Sequence, residues 1–450
     1  MASTALGARR LAEPGVPAGP RRFRRFRPSL STTPGRLRLL LVIGVLLSLA
    51  WGALAAFTAN QYAAAAASVV STREPLSLDA QQIYARLSDA NDAAGTAFLT
   101  GGLEPPAVRQ RYLADIGAAE SGIEKATADD GGAPGAAAQD LSTLAEDLPV
   151  YTGEVETARA DNRLILPLGA AYLREASGLM RSTLLPAASG MNAAENASLG
   201  ATSAQATGLP LISVTLAVGL VLGYLLYRAS RWLRRRTNRV LNVGLVAAGI
   251  ALIISLAWLA AAYAAGRDDL LAAQARGSTP VEALAQVGSA AQQAHADESL
   301  TLIDNSGDDV YQQDYVSEQR ALGPGAGTLL TAAQAAAAGS PAASAADAAV
   351  RDAQAWYGAH AAVRALDDKG SHAAAVASVL GTGPGDAGVL FAKLTSDLSA
   401  GITADQAAFG GSAKAGAGDF TALAPGVAVA ALAMAASCAW GLSRRLVEYR

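Results

Sequence analysis

The stretch "LPLISVTLAVGLVLGYLLYRASRWLRRRTNRVLNVGLVAAGIALIISLAWLAAA", residues 209–262, decides the fold. Two uncharged apolar runs, 209–227 and 240–262, flank a link at 228–239 that holds Arg228, Arg231, Arg234, Arg235, Arg236 and Arg239 and no acid. Each run approaches the roughly 20 residues a helix needs to cross hydrocarbon at about 1.5 Å per residue. The pair reads as two membrane spans joined on the side where the arginines collect.

Two more such runs lie further out, at 39–57 and 423–442, and none of the four contains Asp, Glu, Lys, Arg or His. A proton relay or coupled transporter places ionisable groups at membrane depth, so transport through these helices is disfavoured. The flanking charge orients the chain. Segments 1–38, 228–239 and 443–450 carry 18 arginines against Glu13 and Glu448, a net 18 − 2 = +16. Segments 58–208 and 265–422 hold 9 and 8 basic residues against 18 acidic ones each, hence −9 and −10. The positive-inside rule then predicts a multi-pass protein of the cell membrane with both termini in the cytoplasm and two large acidic segments outside.

"RRFRRFR", residues 21–27, interleaves arginine with phenylalanine as a nucleic-acid grip would. Its place before a span makes it a topology signal instead, lying on anionic lipid headgroups at about 1 kcal/mol per basic residue. A cytosolic docking site is the alternative; nucleic-acid binding is not expected. Ala53-Leu54-Ala55 has the pattern of a leader cleavage site, but the full span length and long basic leader favour a retained helix.

The chain is 51% hydrophobic and 16% charged, against a usual charged share of about 25%, a composition suited to helices and membrane. Cys438 is the only cysteine, so no internal disulfide forms. His295, His360 and His372 are too scattered in sequence to indicate a metal cluster, and no cofactor is expected.

The segments 58–208 and 265–422 are similar in length and similarly placed between spans, which predicts a tandem duplication. In the first, Ile83, Leu87, Ala90, Ala94 and Ala97 form a helical seam stopped by Gly101 and Gly102; in the second, Leu284, Val287, Ala291, Ala294 and Glu298 run into "NSGDD", with Asp308 or Asp309 as N-cap. Val150-Tyr151 with Arg159 resembles Trp356-Tyr357 with Arg364. Each segment is expected to be four antiparallel helices, in the first near 59–100, 105–127, 136–165 and 168–207, with the outer two continuous with spans and kinked at Pro75 and Pro186. The expected fold class is an all-α membrane protein of four transmembrane helices and two extracytoplasmic antiparallel bundles. Alanine-rich seams bury little apolar area, so a homodimer would add stability.

No P-loop, Gly-x-Ser-x-Gly or HExxH pattern is present, and "LGPGAG" and "GTGPGDAG" read as turns. The cytoplasmic pieces are too short for a catalytic domain, so the chain is expected not to be an enzyme. Arg163 has no carboxylate three or four residues away, and neither has Arg174. With Tyr151, Asn162 and Tyr172 they are candidates for gripping a carboxylate ligand or an acidic protein edge; pairing across helices is the plainer alternative. Arg231, Arg234, Arg235 and Arg236 are candidates for the cytoplasmic relay. Gly219-x-x-x-Gly223 marks a close helix approach, within the chain or between copies.

The layout and "LPVYTGEVETARADNRLILPLGAAYLREASGLMRSTLLPAASG", which begins at Leu148, resemble the actinobacterial four-span membrane sensors typified by GlnX. The resemblance implies that an extracytoplasmic glutamine-binding-type lipoprotein docks outside and that a cytosolic serine/threonine kinase of the protein kinase G type reads the state inside. Two other readings stand beside this relay: a chemoreceptor that binds amino acids directly through Arg163 and Arg174, and a passive envelope scaffold.

Overall fold

The computed structural model describes residues 33–129, 135–237, 242–304 and 309–447, and every regular element among them is helical. The arginines before residue 33, together with Arg239, Arg450 and Asp308, lie outside the described residues, as does the side chain of Arg236.

The first half begins with α1 (Thr33–Ser68), which passes through a π-helical turn, Val69–Arg73, into α2 (Glu74–Leu99). Gly101 and Gly102, both at positive φ (64° and 67°), end that rod as expected. α3 (Pro106–Asp129) returns, α4 (Ala136–Arg163) runs out again, and α5 (Leu168–Leu179) comes back through a second π turn, Met180–Leu184, into α6 (Leu185–Thr207). A break at Gly208 leads into the second span, α7 (Pro210–Thr237). The arginine link is thus largely helix, and Arg228, Arg231, Arg234 and Arg235 extend α7 beyond its apolar part.

The second half repeats the plan with a more broken course. α8 (Val243–Ala273) passes through a third π turn, Gln274–Ser278, into α9 (Thr279–Ile303). Where the first half has one returning helix the second has two short ones, α10 (Val310–Leu322) and α11 (Leu329–Ala336). α12 (Ala343–Asp367) follows, then α13 (His372–Leu380), α14 (Ala387–Thr421) and the last span, α15 (Leu423–Val447). The expectation of four helices holds for the first bundle. It fails for the second, where the glycines of "LGPGAG" and "GTGPGDAG" divide the chain further.

Instead of kinks at Pro75 and Pro186, the structure places a π turn just before each, and a third before Pro280. Proline lacks an N–H and its ring collides with the carbonyl four residues back. Widening the preceding turn removes the collision and keeps the rod continuous.

Four helices are long and apolar enough to cross a membrane. Outward-facing Leu46, Val221, Ile253, Ile254 and Leu432 stay exposed in the isolated chain. So much uncovered aliphatic surface needs hydrocarbon as its solvent, and the chain is a multi-pass membrane protein. Gly219 packs within the molecule: a methyl there would lie 2.6 Å from Leu256 and 2.7 Å from Trp51, so close approach within the chain uses this glycine.

Burial repeats between the two halves. Along α1–α2 and α8–α9 the same seam recurs 204 residues later: Ala55 and Leu259, Val69 and Ala273, Ile83 and Val287, Ala90 and Ala294 are all buried. Along α4 and α12 the interval is 205: Leu141 and Ala346, Leu144 and Ala349, Leu148 and Ala353, Tyr151 and Trp356. The pairing of Val150 with Trp356 is therefore one residue out. Tyr151 and Trp356 are both fully buried, whereas Val150 is exposed and Tyr357 half-buried.

Candidate functional site

Where the bundles meet the spans, an aromatic collar ties the halves together. Pro210 and the break at Gly208 free backbone carbonyls at the end of α6. The Tyr62 hydroxyl donates to the Gly208 carbonyl (2.5 Å), the Tyr263 hydroxyl to those of Thr207 and Gly208 (2.8 Å each), and Arg267 Nε to Thr207 (3.2 Å). The rings of Tyr62 and Tyr263 lie 4.9 Å apart, with Phe420 6.1 Å from Tyr62. Two span helices, α1 and α8, and the return helices of both bundles, α6 and α14, thus share one joint.

Further out, the bundles meet along α2 and α9. Gly95 allows this approach, since a methyl there would stand 3.2 Å from Ser299 Cβ. Ionisable groups fill the contact. His295 Nδ1 is hydrogen-bonded to Asp92, its Nε2 lies 3.8 Å from Glu298, and Glu298 Oε1 is 2.7 Å from His360 Nδ1. All four side chains are buried. His295 stacks on Phe391 at 3.9 Å and His360 on Tyr315 at 3.5 Å. Arg111 reaches Asp89 (3.4 Å) and Asp92 (3.5 Å), while Arg86 holds Asp115 (3.0 Å). Gln292 of the second bundle donates to Asp89 of the first, and Gln293 Nε2 to the Tyr84 hydroxyl (2.6 Å). On the other flank Arg181 bridges Asp297 (2.8 Å) and Asp314 (3.1 Å).

Burial sets the proton affinities of this junction. It pushes Asp89 up to about 6, reinforced by Asp115 and opposed by Arg111. It raises Asp297 to about 7 against the pull of Arg181, with Asp314 and Glu318 adding to the rise. For His295 burial alone would lower the affinity, but the Asp92 carboxylate and Glu298 outweigh it and raise the net value. Groups that change charge in this range at an interface let protonation alter how two domains meet. From Asp89 and Arg111 of the junction a cleft of about 950 Å³ runs between the halves, lined by Gln81, Asn192, Asn196, Gln286 and Gln406 together with apolar and charged side chains.

The residues singled out in the sequence do not form one site. Tyr151 is fully buried in the first core and Tyr172 packs against that core. Asn162 Nδ2 donates to the Phe98 carbonyl (3.2 Å), joining the far ends of α4 and α2. Arg174 Nη1 pairs with Asp304 of the second half (2.7 Å), so the plainer reading, pairing across helices, holds for it. Arg163 is exposed and has no ion pair among the described residues. Neither arginine lines the cleft. Arg228 and Arg231 lie beside the Tyr224 and Tyr227 hydroxyls (3.5 and 3.3 Å).

Sequence reasoning missed the junction. Its signal was present in Glu298, an acid at a seam position one turn from His295. The two histidines separated by 65 residues meet on that one carboxylate. No group of three or more His, Cys, Asp or Glu among the described residues could hold a metal ion.

The ends of the bundles farthest from the spans are built alike. α4 closes with the Leu166 N–H donating to the Asp161 carbonyl (2.9 Å) and the Ile165 N–H to that of Asn162 (3.0 Å). α12 closes with the Ser371 N–H donating to Leu366 (2.9 Å) and the Gly370 N–H to Asp367 (2.8 Å). This paired pattern places the intervening residue in the left-handed region, usually occupied by glycine. Gly370 is there at φ 77°, but in the first bundle the residue is Ile165, at φ 58°.

Residues 65–204 match the model of the family described as Actinobacterial sensor domain. The match spans the first bundle and covers under a third of the chain; it supports a sensor role for that bundle. No curated protein and no solved structure matches the chain.

Proposed function

We propose that the protein is a transmembrane sensor that relays a state without catalysing a reaction. The bundles face outward, as the positive-inside rule requires of segments carrying −9 and −10, and the arginine-rich ends face the cytoplasm. The observation that carries this reading is the ionisable junction of α2 and α9, mounted on rods that run without a break from α1 and α8. A change in how the bundles meet moves those rods, and the collar passes the movement to the spans. Shifts of about 1–2 Å along a helix suffice in such switches, with couplings of about 1–3 kcal/mol.

The resemblance supplies the partners: a solute-binding lipoprotein outside and a serine/threonine kinase inside, the latter meeting Arg231, Arg234, Arg235 and Arg236. Co-purification of the full chain in lipid nanodiscs checks this. The kinase is expected to be retained, and charge removal at the four arginines is expected to release it. Retention of neither partner by the unaltered chain would remove the relay. A second reading, direct binding of a polar small molecule, is favoured by the cleft rather than by Arg163 and Arg174. Calorimetry with the full chain and free amino acids tests it, with a Gln81→Ala, Gln286→Ala chain as the control.

A further inference from the structure

The far end of the first bundle carries surface chemistry that the matching 368–373 turn of the second lacks. Leu103, Leu164, Ile165, Leu166 and Leu168 are all exposed there, Leu103 at 83% and Ile165 at 85%. The loops that carry them are neighbours, since Asn162 bonds to Phe98 and Arg159 is paired with Glu104. At the matching positions of the second bundle, 205 residues later, stand Lys369, Gly370, Ser371 and Ala373 in place of Leu164, Ile165, Leu166 and Leu168. No large hydrophobic residue is exposed at 368–373. The two turns have the same backbone hydrogen bonds, so folding does not require the apolar side chains. Nor does it favour Ile165, a β-branched residue held at positive φ where glycine is relaxed. An outlier of this kind, exposed in the middle of an apolar patch, calls for a functional reason.

We propose that this tip docks a folded extracytoplasmic protein presenting an apolar surface with a carboxylate at its edge. The charge around the patch selects that occupant. Arg109 and Arg159 are neutralised by Glu156 and Glu104, which leaves Arg163 as the exposed cation. The half-buried Asp161 is the only other ionisable group of the turn. A guanidinium at the rim of an apolar patch is met best by a carboxylate. A second copy docking tip to tip would set Arg163 against Arg163 and a bundle of −9 against another of −9. The chain's own membrane is out of reach, because the 26 residues of α2 carry the tip about 40 Å beyond the π turn.

This inference rests on the relay reading and specifies where its outer partner sits. The test uses the full chain in its native membrane with a photo-crosslinking benzoylphenylalanine at Leu103, and a control probe at Lys369. A single folded extracytoplasmic protein is expected to cross-link at Leu103 and not at Lys369. Replacing Leu164, Ile165 and Leu166 by the Lys-Gly-Ser of the second tip is expected to cut the yield about tenfold or more, with the melting temperature of the chain not lowered. Arg163→Glu is expected to lose about tenfold, and reversing the partner's facing carboxylate to lysine to restore it.

Adducts to a second copy only, adducts to lipid, no adduct, an unchanged yield in the triple variant, or no restoration by the reversed pair would each overturn the proposal. The kinase readout separates the two ideas. Tip adducts without kinase retention leave the docking surface and remove the relay, while the reverse result removes the surface alone.

Discussion

The two bundles share a burial register but not a filling. At matched positions α4 buries Leu141, Leu144 and Leu148 where α12 buries Ala346, Ala349 and Ala353. The second core recovers the lost volume with fewer, larger rings: Trp356 packs on Phe391 at 5.2 Å and on Tyr315 at 5.8 Å. The lesson is that the two halves keep one helical frame while each places its apolar bulk differently, in the core of both and at the tip of one.

The largest effect should come from that difference. Trp356→Ala removes the ring on which Phe391 and Tyr315 pack and should cost roughly 3–5 kcal/mol. Tyr151→Ala, its counterpart among leucines, should cost less. Tyr151→Phe should be near neutral, because the buried hydroxyl has no hydrogen-bond partner. Thermal unfolding of the full chain in detergent checks the order; a larger loss at Tyr151 would break the comparison.

Next in size is the pH response of the junction. Asp297, Asp89 and His295 all bind protons more tightly when folded than when unfolded. Such groups contribute stability that is complete below their unfolded values and lost as pH rises through the folded ones. The contact should therefore be firm near pH 5 and loosen towards pH 8, with Asp89 acting to about 6 and Asp297 to about 7. The change should be on the order of 2 kcal/mol. Asp297→Asn should flatten the slope between about pH 4 and 7 and stabilise the chain at pH 8. Arg181 would keep Asp314 as partner. A slope unchanged in that variant would place the titration elsewhere.

Spans, orientation cues and first-bundle helices were legible in the sequence because each depends on local pattern: an uncharged run, an arginine cluster, a seam ended by paired glycines. The second bundle was less legible, because alanine marks a helix without marking which helices are long. The junction was hidden for a different reason. Asp92, the His295–Glu298 pair and His360 are distant in sequence and become neighbours only once α2, α9 and α12 pack together, and no local spacing encodes that packing. Arg174 shows the same limit: its lack of a nearby acid was real, but its partner Asp304 comes from the other half of the chain. The π turns were half legible, since the prolines marked the sites but not how the helices absorb them.

The smallest effect concerns the tips, and it is reciprocal. Ile165 and Gly370 occupy the same left-handed position of the same closing motif. Ile165→Gly should relieve about 1 kcal/mol of steric strain, partly offset by the greater freedom of glycine in the unfolded chain, so the melting temperature should rise slightly. Gly370→Ile should lose about 1–2 kcal/mol for the same steric reason, with no offsetting contact because its neighbours Lys369 and Ser371 are exposed. Opposite signs would show that the two turns are one backbone device bearing two chemistries. A loss in both variants would mean that Ile165 is held by packing in the isolated chain, and then its exposure would no longer call for a partner.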